Sequence, residues 1–424
     1  MSPDLLLVLI FVILLALGVP VAITLGAAAV SVLLYFDLAP ETLIAQNFYA
    51  SIKSFPLLAI PFFILAGVLL KEARLAERLV NLFRLLVGGV HGGLALVAVM
   101  TGIFWGAISG SGPATTAALG VVMISAMVRA GYSAPFAAAA IAASADLSIV
   151  IPPSVAFIIY GNLTATSVSK LFIGGIVPGL LMGGCMLVVV YLISRKRGYR
   201  GVRKAEQQES LLRALWQSSF AIFAPVIILG GIYAGIFTAT EAAVVAVIYS
   251  LVVAALIYRT LSWTGFVAAL VEASVLTAMI MFIVAWAGLF SWTGSVTGVV
   301  DEISHWLVNL SDSRYIIILL ICALVLALGM VLDPISIMYL VVPILIPVVQ
   351  QFDMNPIWFG VTFVSALAIG QVTPPVGVNL FTAAGIINEP VDAIAREVLP
   401  LVAAAVIGLI IIALWPAVAL VLVN

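Results

Sequence analysis

Apolar runs of about twenty residues recur along nearly the whole chain, and this pattern constrains the fold more than any other feature. A helix needs roughly 20 apolar residues to cross the hydrocarbon core of a bilayer. Of the 424 residues, 65% are hydrophobic and only 8% are charged, and the mean hydropathy is +1.32. The sequence therefore predicts an all-α polytopic membrane protein whose surroundings are a lipid bilayer.

The composition argues against several classes of function. The only two cysteines, Cys185 and Cys322, lie inside apolar runs, so neither a disulfide framework nor a cysteine-based metal site is predicted. The sequence lacks the GxxxxGK[ST] motif of P-loop ATPases, and its two histidines have no metal-ligand spacing. We expect no enzymatic activity, no covalently bound cofactor and no nucleic-acid partner.

Two proline pairs interrupt apolar segments in similar surroundings. Pro152-Pro153 stands in "IPPSVAFIIYG", and Pro374-Pro375 stands in "TPPVGVNLFTAAG", 222 residues later. The same interval carries Ser111 onto Asp333. Each proline removes a backbone donor and breaks the helical hydrogen-bond ladder. These coincidences in one register predict two sequence repeats, a feature of secondary transporters.

The repeats are separated by a polar, basic stretch at 194–215. We predict about five transmembrane helices and one re-entrant hairpin in each repeat. The first repeat spans 1–193 with its hairpin at 88–128, and the second spans 216–424 with its hairpin at 315–350.

The basic residues predict that the two repeats are inverted. If the 194–215 linker is cytoplasmic, all but three of the 17 Lys and Arg residues fall on the cytoplasmic side; the three exceptions are Lys53, Lys170 and Arg314. This distribution follows the positive-inside bias. Two amphipathic stretches, "KEARLAERLVNLFRLL" and "TGVVDEISHWLVNL", are predicted as interfacial helices. Two interpretations stay open for them: an arm that links a static scaffold to a moving part, or an ordinary connecting helix.

Irregular backbone at membrane depth survives only where it is buried in protein or lines a wet cavity. There, unwound carbonyls and nearby hydroxyls supply oxygen ligands for alkali cations, and half-helix N-termini attract anions. Each half offers a hairpin tip and a proline break of this kind. The cation-ligand candidates are Ser109, Gly110, Ser111, Thr116, Asp146, Pro152, Gly329, Asp333, Thr373, Pro374 and Gly377, and the substrate-ligand candidates are Ser154, Asn162, Gln371 and Asn379.

Structural alternatives stay open for these residues. Small residues in membrane helices often serve close packing, and a single proline often marks a tolerated kink. An intramembrane acid is a functional candidate by default, which favours roles for Asp146 and Asp333. The competing interpretation places these two acids at a cavity mouth, where they cap helix ends.

Several motifs together resemble one known family over essentially the whole chain. "GAISGSGPATTAALG", "IPPSVAFIIYGNLT", "LDPISIMYLVVPILIPV" and "IGQVTPPVGVNLF" are similar to segments of the large, DctM-type membrane subunit of tripartite ATP-independent periplasmic (TRAP) transporters. The resemblance implies a bacterial inner-membrane, sodium-driven importer of an organic anion, such as a C4-dicarboxylate or a sugar acid. It also implies an elevator mechanism, with scaffold and transport domains and with Na⁺ sites at the hairpin tips and proline breaks.

The resemblance further implies two partner proteins: a small four-helix membrane subunit, expected as a separate chain, and a periplasmic substrate-binding protein. This chain departs from the family pattern where it has Asp146, Ser148 and Ala366. The departure at Asp146 and Ser148, before the first proline pair, suggests an added cation ligand or an altered substrate preference. The alternative function is a stand-alone sodium- or proton-coupled anion carrier, which would not depend on a periplasmic protein.

Overall fold

The computed structural model describes residues 1–201 and 210–423, and this part of the chain is built from helices. Residues 202–209, in the centre of the predicted linker, lie outside the described residues. Nine helical stretches of the described part, three of them made of adjoining elements, are long and apolar enough to cross a membrane. The observed helices therefore confirm the predicted all-α membrane architecture.

In the first half, residues 1–201 as described form ten α-helices. Their bounds are α1 (Pro3–Ala16), α2 (Val21–Tyr35), α3 (Glu41–Ile52), α4 (Ala59–Glu72), α5 (Leu75–Val87), α6 (Gly93–Ser109), α7 (Gly112–Arg129), α8 (Ala134–Val150), α9 (Val155–Thr164) and α10 (Val168–Lys196).

In the second half, the described residues 210–423 also form ten α-helices. Their bounds are α11 (Leu211–Tyr233), α12 (Ala239–Leu251, continued by a π-helical segment Val252–Ile257), α13 (Trp263–Thr297), α14 (Val299–Val308), α15 (Arg314–Gly329), α16 (Pro334–Gln351), α17 (Pro356–Gly370), α18 (Val378–Ile387), α19 (Val391–Leu414) and α20 (Ala417–Leu420).

Helix bounds recur along the chain at a nearly constant interval. Helix α7 begins at Gly112 and α16 at Pro334, while α8 begins at Ala134 and α17 at Pro356; both intervals are 222 residues. The order hairpin, broken helix, long helix is the same in both halves. The inverted orientation of the repeats stays a prediction.

Helix α3 was not predicted. The apolar run at 55–70 predicts one crossing with no helix immediately before it, whereas the structure has α3, a 3₁₀ turn (Phe55–Leu58) and α4 in succession. Because α3 contains several polar residues, a search for apolar runs does not detect it. The helical conformation breaks between α3 and α4 at Pro56, which lacks the backbone N–H needed to continue a helix. In the second half the corresponding segment has no proline, and α13 runs unbroken for 35 residues.

Helix α8 lies at the centre of the fold and positions the site. Every residue from Phe136 to Val150 is buried, and α8 packs against α6, α7, α17, α18 and α19. Its alanine-rich sequence allows this because small side chains let neighbouring helices approach closely. A Cβ on Gly102 would meet the Ser144 carbonyl oxygen at 2.7 Å, so α6 and α8 are in near-backbone contact.

Candidate functional site

The first proline break separates α8 from α9. Four residues, 151–154, have no helical conformation there, and all four are buried. The Pro152-Pro153 peptide bond is cis. The Ser154 hydroxyl donates to the Ile149 carbonyl at 2.5 Å and so satisfies a group that the broken ladder would leave free. As the sequence predicted, this irregular backbone is enclosed by protein.

The second break, 371–377, is longer and separates α17 from α18. The Thr373 hydroxyl donates to the Ile369 carbonyl at 2.6 Å, and the Asn379 N–H donates to the Gln371 carbonyl at 3.1 Å. Gly377 has a φ of 59°, a conformation that glycine adopts without a Cβ penalty. Pro375 is exposed while Gln371 is buried, so this break is open on one side only.

The first hairpin tip connects α6 to α7 and lies against the first break. Gly110 has a φ of 61°, and a Cβ on it would stand 3.0 Å from the Pro153 carbonyl oxygen. The Ser109 hydroxyl donates to the Ser111 carbonyl at 3.4 Å. The Thr116 hydroxyl donates to a carbonyl of its own helix, and its oxygen keeps lone pairs for a further contact.

The second hairpin tip connects α15 to α16 and is bonded to the second break. The Gln371 side-chain Nε2 donates to the carbonyls of Gly329 and Leu332, at 3.3 and 3.2 Å. The Gly377 N–H donates to the Met330 carbonyl at 3.2 Å. Each tip therefore meets the break of its own half.

Asp333 caps the N-terminus of α16. Its Oδ1 accepts from the backbone N–H groups of Ile335 and Ser336, both at 3.0 Å, and its Oδ2 accepts from the Ser336 hydroxyl at 2.5 Å. This is the capping geometry of the alternative interpretation. Each carboxylate oxygen has more than one lone-pair direction, so capping leaves room for a cation ligand role.

The two halves also meet each other at the site. Helix α7 of the first hairpin packs against α18, and α16 of the second hairpin packs against α9. A Cβ on Gly112 would stand 2.8 Å from the Asn379 Nδ2. The tips and breaks of both halves thus belong to one continuous region.

Asp146 is placed differently from the sequence interpretation, which grouped it with the first break. It lies inside α8, four residues before Val150 ends that helix, and is fully buried. Its Oδ1 accepts from the Asn379 Nδ2 at 2.6 Å, across 233 residues of sequence. Asn379, a substrate-ligand candidate in the second half, is therefore hydrogen-bonded to Asp146, a cation-ligand candidate in the first half.

The substrate-ligand candidates do not form one group. Asn162 lines a cavity of about 500 Å³ next to the 3₁₀ turn and the start of α12, and Ser154, Gln371 and Asn379 do not line it. A neighbouring cavity of about 640 Å³ is lined by polar residues that are not among the predicted ligand candidates. Among them are Thr164, Thr166, Lys170, Gln350 and Asp353.

The oxygen atoms at the tips and breaks suit an alkali cation better than a transition metal. In the described ranges, 1–201 and 210–423, no three His, Cys, Asp or Glu residues cluster in a way that could hold a metal ion. The available ligands are carbonyl, hydroxyl, amide and single carboxylate oxygens. Such hard oxygen sets bind alkali cations, whereas transition metals favour nitrogen and sulfur ligands.

Residues 8–418 match the family described as "Tripartite ATP-independent periplasmic transporter, DctM component". The chain belongs to this family. The DctM chain is 40% identical over 408 residues to the isethionate TRAP transporter permease protein DctMQ of Oleidesulfovibrio alaskensis, covering 96% of this chain and 64% of that protein. It thus spans less than two thirds of that relative.

Two other relatives match over nearly their whole length. The DctM chain is 37% identical to the C4-dicarboxylate TRAP transporter large permease protein DctM of Pseudomonas aeruginosa, covering 95% of this chain and 94% of that one. It is 35% identical to the sialic acid TRAP transporter large permease protein SiaM of Vibrio cholerae, covering 94% and 93%. The relatives are named as transporter permeases, not as enzymes.

The fold is also similar to a solved structure. The YdaH transporter of Alcanivorax borkumensis superposes with a TM-score of 0.67 over 98% of both chains, at 14% identity. At this identity the likeness concerns the fold alone. The DctM chain is a multi-pass membrane protein with a transporter fold.

Proposed function

We propose that this chain is the large permease subunit of a sodium-driven TRAP transporter that imports an organic anion. A periplasmic binding protein delivers the anion, and a small four-helix membrane subunit completes the complex. The complex lies in the bacterial inner membrane, with the 194–215 linker on the cytoplasmic side. The observation that carries this proposal is the meeting of both hairpin tips and both proline breaks in one region with many oxygen atoms.

The substrate class follows from the relatives and from the chemistry of the site. The relatives described above are named for isethionate, C4-dicarboxylate and sialic acid, all of which are organic anions. The half-helix N-termini of α9 and α18 follow the breaks, where their N–H groups favour negative charge. We therefore propose an organic anion such as a C4-dicarboxylate or a sugar acid.

Sodium coupling supplies the energy that this chain does not obtain from a P-loop. One positive charge that moves inward across 100 mV releases about 2.3 kcal/mol. Two net charges release about 4.6 kcal/mol, which supports a concentration ratio above about a thousandfold. In this proposal Na⁺ is cargo, and it is held at the Ser109–Ser111 and Gly329–Asp333 tips and at the Pro152 and Thr373–Gly377 breaks.

The packing pattern supports an elevator movement. Helices α2, α3 and α4 pack against α13, and α4 also packs against α12, which gives one candidate scaffold. Helices α6 to α9 and α15 to α18 are joined through the tips, the breaks and the Asp146–Asn379 pair, which gives one candidate moving body. We propose that the second group moves against the first.

Uptake by reconstituted vesicles tests the proposal. The vesicles contain this chain and its small subunit, and the purified binding protein is added outside with radiolabelled isethionate, a C4-dicarboxylate or sialic acid as probe. We expect an inward Na⁺ gradient to drive uptake only when the binding protein is present. Uptake driven by a proton gradient alone would refute sodium coupling. Uptake without the binding protein would favour the stand-alone carrier.

A further inference from the structure

The buried pair of Asp146 and Asn379 contains two acceptor oxygens without a hydrogen-bond partner. Asn379 Nδ2 donates to Asp146 Oδ1 at 2.6 Å, which orients the amide. Asp146 Oδ2 and Asn379 Oδ1 are both buried and unpaired within the described residues. Two unpaired acceptor oxygens on adjoining side chains, one of them on a carboxylate, form a set that a cation would complete.

In the part of the chain that the structure describes, no basic side chain balances the Asp146 carboxylate. Within the described residues it forms no ion pair, and its only hydrogen-bond partner is Asn379. Of the helices packed against α8, three (α6, α17 and α18) contain no titratable residue. The titratable residues of the other four, α7, α9, α10 and α19, are Arg129, Tyr160, Lys170, Cys185, Tyr191, Arg195, Lys196, Asp392, Arg396 and Glu397.

Neighbouring hydroxyls on α8 do not compensate the carboxylate. Ser144 and Ser148 each donate to a carbonyl of their own helix, at 2.8 and 2.5 Å. On the facing helix α7, Gly112 abuts the Asn379 amide. The Thr115 hydroxyl, one turn later, is buried and has no hydrogen-bond partner among the residues that the structure describes. A buried charge needs a counter-charge and further ligands, and the contacts of Asp146 provide neither.

We infer that Asp146 and Asn379 form a Na⁺ site of their own, with the Thr115 hydroxyl as a further oxygen ligand. Asp146 supplies the negative charge and Asn379 a neutral amide oxygen. The site differs from the tips and breaks because Asp146 lies within α8 and Asn379 within α18. The choice of sodium rests on the proposed function, which this site extends by one additional coupled cation.

Equilibrium binding of radioactive sodium to the purified complex of this chain and its small subunit tests the site without any transport measurement. We expect Asp146→Asn to bind one Na⁺ fewer than the wild type at saturation, because the variant keeps the shape but loses the charge. Asn379→Ala should raise the half-saturating Na⁺ concentration of that ion at least tenfold. Asp301→Asn, a change of an exposed acid on α14, should leave both values unchanged.

Equal sodium binding by the wild type and Asp146→Asn would overturn the inference. In that case an infrared C=O band of a neutral carboxylic acid, present in the wild type and absent from Asp146→Asn, would identify Asp146 as a protonated structural acid. If uptake were sodium-driven while Asp146→Asn bound as much Na⁺ as the wild type, only this inference would fail. If uptake were not sodium-driven but the binding difference persisted, the site would stand and the proposed coupling would fail.

Discussion

Gly329 of α15 and Gly370 of α17 lie in backbone contact, so that a Cβ added to Gly329 would stand 2.8 Å from the Gly370 Cα. A Cβ on Gly370 would stand 2.7 Å from the Gly329 Cα. These are the last residues of their helices, one at the hairpin tip and the other at the proline break. The contact brings the second tip onto the second break, and only glycine fits on either side.

Gly329→Ala should therefore separate the tip from the break. Overpacking of this kind costs about 1–3 kcal/mol, because the neighbouring atom is backbone and cannot rotate away. We expect a lower thermal midpoint for the purified protein and a higher half-saturating Na⁺ concentration. Gly385→Ala in α18 is the matched control, since no atom lies within 4 Å of its added Cβ. Equal effects of the two changes would contradict the close contact.

Gln371→Glu removes both hydrogen bonds from the second break to the second tip. A carboxylate cannot donate, so the carbonyls of Gly329 and Leu332 lose their side-chain donor in a buried place, at a cost of about 1–3 kcal/mol. We expect a lower thermal midpoint and weaker Na⁺ binding, both measured on the purified protein. Gln350→Glu, at an exposed position, should change neither; an unchanged Gln371→Glu variant would show that the tip does not depend on this side chain.

Two substitutions of Asp333 separate its capping role from its charge. Asp333→Ala removes the cap of α16 and should lower stability by about 1 kcal/mol. Asp333→Asn keeps an acceptor for the N–H groups, so stability should change less while the half-saturating Na⁺ concentration rises about tenfold or more through the lost charge. The readouts are thermal unfolding and sodium binding.

Asn355 provides the control for the Asp333 pair. Its side chain caps α17 by accepting from the Ile357 and Trp358 N–H groups, at 2.9 and 3.3 Å, and it is not a cation-ligand candidate. Asn355→Ala should lower stability without altering sodium binding. Should Asp333→Asn also leave sodium binding unaltered, Asp333 is a helix cap and not a ligand.

Ser111→Ala should weaken sodium binding without destabilising the protein. Ser111 precedes α7, but its side chain accepts no capping hydrogen bond, so its loss leaves the helix start unchanged. We expect a thermal midpoint within error of the wild type and a raised half-saturating Na⁺ concentration. Ser219→Ala, which removes a half-buried hydroxyl of α11 that donates to the Trp216 carbonyl, is the control. A fall in stability with unaltered sodium binding would assign Ser111 to packing.

The sequence was sufficient for the features that depend on local pattern. Apolar runs predicted the membrane helices, and the proline pairs predicted both breaks because proline interrupts a helix wherever it lies. The recurrence of Ser111 at Asp333 predicted a hairpin tip in each half, and the structure has a helix–helix connection at each of these positions. Helix α3 escaped prediction because its polar residues hide it from a hydropathy search.

The contacts between the halves were beyond prediction from local pattern. Asp146 was grouped with the first break because Pro152 is its neighbour in sequence, yet its partner is Asn379. Which face of α8 meets α18 depends on helix packing, and no spacing within either segment encodes it. Asn162 and Asn379 were both predicted as substrate ligands because each follows a proline pair in sequence. In the structure, Asn162 lines a cavity that Asn379 does not line.

The link between Asp146 and Asn379 has a consequence for biosynthesis. Since 233 residues separate the two, α8 is synthesised long before Asn379, whose amide donates a hydrogen bond to the Asp146 carboxylate. During that interval Asp146 lacks its hydrogen-bond partner, and the first half lacks α17, α18 and α19, which pack against α8 in the finished protein. Assembly of this permease is thus finished only when the last helices enter the membrane and close around the first.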